Sequence, residues 1–469
     1  MAISSTGIGS GLDVTSIISQ LSALEKQPLK ALQTKATNLQ TQLSVMGQVQ
    51  SQVSALATAA ASLGSVLTWK GSNATTSNAD ALTVSAATGT AAASFSVEVS
   101  QLAKAQSLSL PAVPALPAST DQVGYGTLSI KVGSADAIAV TIADGEGTLT
   151  QIAAKINATT GVGVTATVLR DSSGKDNLLI RSNTTGTDSA FTIDVTEGAG
   201  GTLSVPSNLS RLSYTAGNFA MSATQPAQNV LGTLNGVAIT SQKNTLADIV
   251  PGVTLNFLKA TTAPVEVVVA KDTAAIKKSM QDFVAAYNAL NATLNDATKY
   301  DAGTKTAGAF QGDSVATGLQ RALRSLMGST SATGSTFSRL ADVGITAQLG
   351  GDLSIDNTKL TTAMVDVDNL QKLFTAFNGS DATNGFGLRV KDFSNGLLAA
   401  TGAVSNKNDA IKKAIDRNAA DQDKVNARAT LMEERLKKQY SALDTKMASL
   451  TALNSYVAQQ VTTWNKSTN

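Results

Sequence analysis

Few residues in this chain are grouped in a way that could do bond-making chemistry. Asp144-Gly-Glu-Gly places two carboxylates close enough to suggest calcium, but an oxygen-ligand loop needs more acidic positions at regular spacing, so a hairpin turn is expected there. The glycine-rich run GIGSG at 7–11 lacks the GxGxxG spacing of a dinucleotide site and follows no strand, so it reads as a flexible start before a helix cap. Lys277-Lys278 opens a helix and reads as solvated charge. The sequence holds no His and no Cys. Imidazole general bases, cysteine nucleophiles, zinc-thiolate sites and disulfides are thereby excluded. What catalysis remains open is a carboxylate pair acting on a polymer such as cell wall, and the expectation is that the chain is not an enzyme. No cofactor and no metal is expected.

Charge and hydropathy narrow the partners. A net charge of +2 in 469 residues lacks the dense basic footprint that a nucleic-acid backbone demands. No 18-residue apolar run offers a membrane span, and the first residues lack the basic and apolar regions of a cleaved signal. Aromatics are 4% and charged residues 15%, with small neutral side chains in excess, a composition suited to surfaces that pack against copies of themselves.

The strongest pattern lies at the two ends. Asp13 can cap a helix carrying Ile17, Ile18, Leu21 and Leu24, and Pro28 should kink or restart it. Beyond it Leu32, Leu39, Met46, Val53, Ala60 and Leu67 recur every seven residues, with Ala36, Leu43, Gln50 and Ala57 four residues on. Near the other end Ile415, Gln422, Ala429, Leu436, Leu443, Leu450, Val457 and Trp464 form one row, and Ile411, Asn418, Val425, Met432 and Gln439 the other. Such rows are the apolar seam of a coiled coil. Glu433 with Lys437, Glu434 with Lys438 and Asp409 with Lys413 are favourable i, i+4 pairs outside it. About 60 residues of heptad reach roughly 90 Å, so an extended stalk is expected. Gln50, Asn418, Gln422 and Gln439 weaken the seam, which points to arms that order when chains lie side by side.

Between the arms the period becomes that of strands. Residues 82–99 predict two strands around a Thr-Gly turn, and LPAVPALPAST at 110–120 a linker. GTLSIKVG and Val140–Ile142 predict strands, followed by a helix opened by a capping box from Thr148 to Gln151 and closed by Gly161. VGVTATVLR, NLLIRS and FTIDV continue one small, mostly antiparallel sheet. VLGTLNGVAIT predicts a hairpin turning at Asn235-Gly236, before VTLNFL and VEVVVAKD. Helices follow from 274, with a strand pair at 345–356. The expected fold is α+β and multidomain, with long terminal helices pairing as a coiled-coil leg and nested sheet-rich head domains. The expected parts are an arm of 1–70 pairing with 400–469, a head of 71–109 plus 228–273, an inserted head of 110–227, and a helical or mixed leg domain of 274–399.

The opening SSTGIGSGLDVTSIISQLSALEKQPL, then VEVSQLAKAQSL, LNGVAITSQKNTLADIVPGVTLNFL, DFVAAYNAL, LADVGITAQLGGDLSIDNTKL and the closing ALNSYVAQQVTTWNKS together resemble the flagellar filament cap family, also called hook-associated protein 2. The block from GTLSIKVG to TLTQIAAKINATTGVGVTATV resembles a small repeat of flagellin-related proteins. The resemblance runs in order along nearly the whole chain and fades over 197–227. It implies a homo-oligomeric ring at the distal filament tip that guides insertion of exported flagellin. It implies an extracellular location reached through the flagellar export channel without a cleaved signal. The implied partners are further copies, flagellin, hook–filament junction proteins, the export apparatus with an export chaperone, and host mucin, with no nucleic acid and no membrane insertion. On this resemblance Leu32, Leu39, Leu43, Met46, Val53, Leu436, Leu443, Leu450 and Val457 are expected in the leg seam. Ile17, Leu21, Leu24, Val461 and Trp464 are expected to reach the filament end. The alternatives are a stalked adhesin binding host glycans, another hook–filament junction protein, or a cell-wall hydrolase.

Overall fold

The computed structural model describes residues 13–110, 122–172, 174–199, 208–380 and 383–467; the run at 7–11 and the Pro-marked stretch from 111 onward lie outside them. Ten α-helices occur among these residues: α1 (Val14–Glu25), α2 (Gln27–Gly64), α3 (Val66–Trp69), α4 (Leu149–Ala158), α5 (Thr273–Thr298), α6 (Ser314–Gly328), α7 (Asn357–Ala363), α8 (Val367–Thr375), α9 (Phe386–Leu398) and α10 (Ala403–Ser467). The chain divides into two compact units, Lys70–Asp272 and a unit made of Met1–Trp69 with Thr273–Asn469.

The unit Lys70–Asp272 is mostly strand. β1 (Ser72–Thr76), β2 (Leu82–Ala86) and β3 (Ala93–Gln101) open it. There follow β4 (Ser107–Ser109), β5 (Gly126–Val132), β6 (Ile138–Ile142), β7 (Val164–Arg170), β8 (Asp176–Ser182), β9 (Phe191–Glu197), β10 (Tyr214–Thr215), β11 (Asn218–Phe219) and β12 (Ser222–Gln225). β13 (Val230–Leu234), β14 (Val237–Ser241), β15 (Thr245–Ala247), β16 (Val253–Phe257) and β17 (Val265–Lys271) close it. One core lies between a five-stranded sheet, β1-β17-β3-β13-β14, and a three-stranded sheet, β15-β16-β2. Alternation decides what fills it: Phe95, Val97 and Val99 on β3 and Val265, Val267 and Val269 on β17 point inward to Leu255 and Phe257. β2 and β3 flank the Gly89 turn (φ 85°), yet they belong to different sheets rather than pairing with each other.

A second core in this unit lies between the sheets β11-β10-β9-β5-β6 and β12-β4-β8-β7. Three strands expected in one sheet thus split, β7 and β8 on one side and β9 on the other. Antiparallel β9 pairs with β5 across seven residues and with β10 at Tyr214, not with β8. α4 drops Ile152 and Ile156 into this core. Its capping box is present: Gln151 N–H donates to Thr148 Oγ1 at 3.3 Å, and Thr148 N–H donates to Gln151 Oε1 at 3.2 Å. Around Asp144 the chain turns, but from β6 into α4 rather than through the hairpin expected, with Gly145 at φ 86° and Glu146 paired to Lys155 at 2.8 Å.

The helical unit is built around α2, which packs on α5, α9 and α10. Short hairpins β18 (Tyr300–Asp301) with β19 (Thr306–Ala307) and β20 (Ile345–Ala347) with β21 (Leu353–Ile355) decorate it. The core joins Leu56 and Leu63 of α2 to Phe283 and Tyr287 of α5 and Phe374 of α8. Trp69 stacks on Phe374 at 5.6 Å and donates its indole N–H to Leu63 O at 2.7 Å, so the end of α2 is locked. α2 and α9 approach closely at a glycine pair, where a Cβ on Gly387 would lie 2.5 Å from Gly64 N.

Candidate assembly surface

α1 starts as its sequence dictates: Asp13 Oδ1 accepts from Ser16 N–H at 2.9 Å. It stops at Lys26, and α2 restarts at Gln27 with Pro28 in its first turn, where a missing N–H costs nothing. α2 and α10 run in opposite directions. Asn408 Nδ2 donates to Gln50 Oε1 at 3.3 Å near one end of the pairing, and Lys26 faces Glu433 and Lys437 near the other.

The seam follows the heptad only in part. Leu32, Ala36, Leu39 and Leu43 are half-buried, and Met46 is buried, as alternating steps of four and three require. The next step is three again. Val49, Val53, Leu56, Ala60 and Leu63 then form the buried face, with Ala57 beside them, while Gln50 is exposed. A straight α-helix turns 3.6 residues per turn, so a stripe held to 3.5 drifts around it and must change phase when its partners change. Here the phase changes where α2 enters the core shared with α5 and α9. The row expected to reach Leu67 ends earlier, because α2 stops at Gly64 and Leu67 is exposed.

α10 shows a matching break. Ile411, Ile415, Asn418, Gln422, Val425, Ala429, Met432 and Leu436 are buried or half-buried on one stripe. Gln439 is exposed and Tyr440 is half-buried in its place, giving two successive steps of four. Beyond it Leu443, Met447, Leu450, Asn454, Val457, Val461 and Trp464 resume the alternation and face solvent. From Met447 to Asn465 no residue is charged.

The structure therefore sorts the expected seam residues. Met46 and Val53 are inside the chain's own helical core, and Leu32, Leu39, Leu43 and Leu436 lie half-buried along it. Leu443, Leu450 and Val457 keep 42, 57 and 50% of their surface exposed. Of the residues expected at the filament end, Ile17 and Leu21 are half-buried on α1, whereas Leu24, Val461 and Trp464 are exposed. These are not brought together. α1 faces residues 433–441 of α10, and Val461 lies twenty residues past Ser441, about 30 Å along the helix. Val49, Leu56 and Leu63 were missed by the heptad template, although their spacing of seven was there to be found.

Ion pairs line α10, most of them within the helix itself. Glu433 meets Lys437 at 2.6 Å, and that hydrogen bond, with the charges of Lys437 and Lys26, holds its carboxyl below the ordinary range. Asp409 meets Lys412 at 3.9 Å, one residue short of the expected Lys413. At the start of α10, Lys407 pairs with Asp313, which also caps α6. Burial alone would raise the Asp313 carboxyl; Lys407 and the N–H groups of Ala316 and Val315 outweigh it and hold it low. Asn418 is 2% exposed; its Oδ1 accepts from Gln422 at 2.7 Å, and its Nδ2 has no partner among the described residues. Among these residues no cluster of acidic side chains could hold a metal, and no helix is long and apolar enough to cross a membrane.

Comparison with known proteins places this architecture. Residues 10–106 match the family model of the flagellar hook-associated protein 2 N-terminus, and residues 227–452 that of its C-terminus. The flagellar hook-associated protein 2 of Escherichia coli (strain K12) is 29% identical over 98% of both chains. The B-type flagellar hook-associated protein 2 of Pseudomonas aeruginosa is 28% identical over 96% of both. Among solved structures, the D1-D2-D3 domains of the flagellar cap protein FliD from Escherichia coli superpose with a TM-score of 0.60 at 28% identity. They cover 78% of this chain and 99% of that one. Matched at both ends by the models of one protein and along nearly its full length by that protein's relatives, the chain belongs to the flagellar hook-associated protein 2 family.

Proposed function

We propose that this chain is a flagellar filament cap: a homo-oligomer at the distal tip of the filament that retains exported flagellin and guides its polymerisation. Its role is structural rather than catalytic. The observation that carries the reading is the outer half of α10, a helix whose apolar stripe faces solvent and whose residues 447–465 carry no charge. Apolar area of that kind is buried on assembly. The family membership supplies the flagellar setting, and the Escherichia coli relative, a flagellar cap protein, supports the role.

In this reading one helix has two tasks. Ile411 to Leu436 serve the chain's own pairing of α10 with α2, and Leu443, Leu450 and Val457 form the intermolecular seam. Val461 and Trp464 contact the filament end, and Leu24, about 30 Å away on α1, makes a separate contact with it, with Ile17 and Leu21 steadying α1. The chain travels through the flagellar export channel, held beforehand by an export chaperone. Deleting its gene tests the proposal. The expected result is loss of filaments with monomeric flagellin released into the medium, restored by the full chain. Filaments of normal length in the deletion strain would exclude it.

A further inference from the structure

The sheet β1-β17-β3-β13-β14 ends on β14, whose outer edge is free of any other strand among the described residues. The geometry of that edge is set by the turn before it. Asn235 and Gly236 have φ of 49° and 81°, which makes a two-residue turn of the mirror-image type and leaves Leu234 and Val237 as a hydrogen-bonded pair. Alternation along an antiparallel ladder then fixes the rest. Val237, Ile239 and Ser241 direct their N–H and C=O groups to β13, opposite Leu234, Gly232 and Val230. Ala238 and Thr240 direct theirs outward.

Natural sheets usually guard such an edge with charge, proline or a bulge. β14 has none of these: its sequence is Val-Ala-Ile-Thr-Ser, paired with β13 in unbroken register. Ala238 and Thr240 are solvent-exposed on the face opposite Ile239, and Val237 is exposed as well.

We infer that β14 is a self-pairing edge, which joins a second copy of this chain strand to strand, antiparallel, about a twofold axis through Ile239. Self-complementarity selects this occupant. With Ile239 opposite Ile239 of the partner, each Ala238 faces the other chain's Thr240 as a hydrogen-bonded pair. All four outward N–H groups and all four outward C=O groups are then satisfied. Val237 faces Ser241, and beyond the strand Lys243 faces Asn235, so no like charges meet. Any one-residue slip leaves donors opposite donors. Two five-stranded sheets become one of ten. The contact is small, so it is weak in isolation and fills when copies are concentrated. It is isologous, and so differs in kind from the head-to-tail contacts that close a ring. It stands independently of the cap reading.

The chain has no cysteine, which makes a clean test available. In the register inferred, Ile239→Cys places two thiols directly across the axis at a non-hydrogen-bonded pair, about 4.5 Å between Cα atoms and within disulfide reach. Val237→Cys on the same strand places them four residues out of register. Under mild oxidant at micromolar full-length protein, I239C is expected to form a covalent dimer at least tenfold faster than V237C. Adding Thr240→Pro, which removes an outward donor and leaves the β13 ladder intact, should slow the I239C dimer about tenfold. Because Ile239 also touches the core of its unit, each variant's thermal melt is compared with the native chain, and sedimentation of the T240P chain alone supplies a second reading. Equal dimer yields at 237 and 239, or dimerisation indifferent to T240P, would overturn the inference. So would no dimer at all from a folded I239C chain, the result expected if the edge instead takes an extended segment of another protein.

Discussion

Replacing Leu443, Leu450 and Val457 together by Gln separates assembly from folding. Glutamine is a good helix former, so the change leaves the backbone of α10 unperturbed and acts on the apolar stripe alone. In the isolated chain each of these side chains is already about half exposed. Burying a Leu or Val in full is worth about 1.5–3 kcal/mol, so the surface still open amounts to roughly 1 kcal/mol at each site. Three sites give about 3 kcal/mol per copy, a loss of association on the order of a hundredfold. The cost to the monomer is within about 0.5 kcal/mol per site, as for other surface changes. Far-UV circular dichroism on dilute protein should show a melting temperature within about 5 °C of native, while sedimentation velocity over rising concentration should show assembly displaced to much higher protein. Leu56→Ala is the mirror control: that side chain is fully buried, and its truncation should cost about 2–5 kcal/mol in the monomer. If the triple variant melted many degrees early, the outer half of α10 would be part of the monomer core. If it assembled like the native chain, the stripe would not be the seam.

Three further outcomes are expected. Gly387→Ala should destabilise the helical unit, because the new Cβ meets backbone of α2 at 2.5 Å, whereas Gly318→Ala on α6 meets nothing within 4 Å and should stabilise by about 0.5–1 kcal/mol; paired thermal melts decide, and equal signs would contradict the crossing. Asp313 is held below its ordinary 3.8 in the folded chain, so its contribution is full above that value and is lost as pH falls through the lower folded value; the stability gap between native and Asp313→Asn should close on acidification below 3.8, and a gap that widens would reverse the sign. Lys446 is exposed in the single chain, and the proposed seam would cover it, so trypsin should cut after it quickly in dilute chain and slowly in the assembly; equal rates by mass spectrometry would refute conditional ordering.

Local chemistry was legible in the sequence. The cap at Asp13, the box from Thr148 to Gln151 and the turn at Asn235-Gly236 each depend on residues within a few positions of one another, and each is present. Pairing was much less legible. Nothing near Gly89 says that β2 and β3 part into different sheets, and nothing in FTIDV says that β9 leaves β8 to pair with β5. Those choices are made by contacts distant in sequence, which local patterns do not encode. On α2 the fault lay in the template. A strict heptad continued through Gln50 passes over Val49, Leu56 and Leu63, because the helix stays near 3.6 residues per turn while its neighbours change.

The phase break on α10 gives the division of tasks a physical basis. Each strict heptad falls about 20° behind the surface of a straight helix, and an eleven-residue step regains about 20°. Met432 to Leu443 is such a step, and it lies where α1 packs on α10 at Glu433, Lys437 and Ser441. Before the break the stripe is consumed by α2 and carries a buried polar layer, Asn418 with Gln422, which favours one register over mere adhesion. After it the stripe is apolar save for Asn454, uncharged and open. A helix meant only to complete its own bundle would end where its partner ends. One meant only for partners would have no reason to hold a register with α2. Joining the two through a single uninterrupted helix means that the orientation of the outer stripe is set by the inner register, so the polar layer at Asn418 aims the surface proposed for assembly.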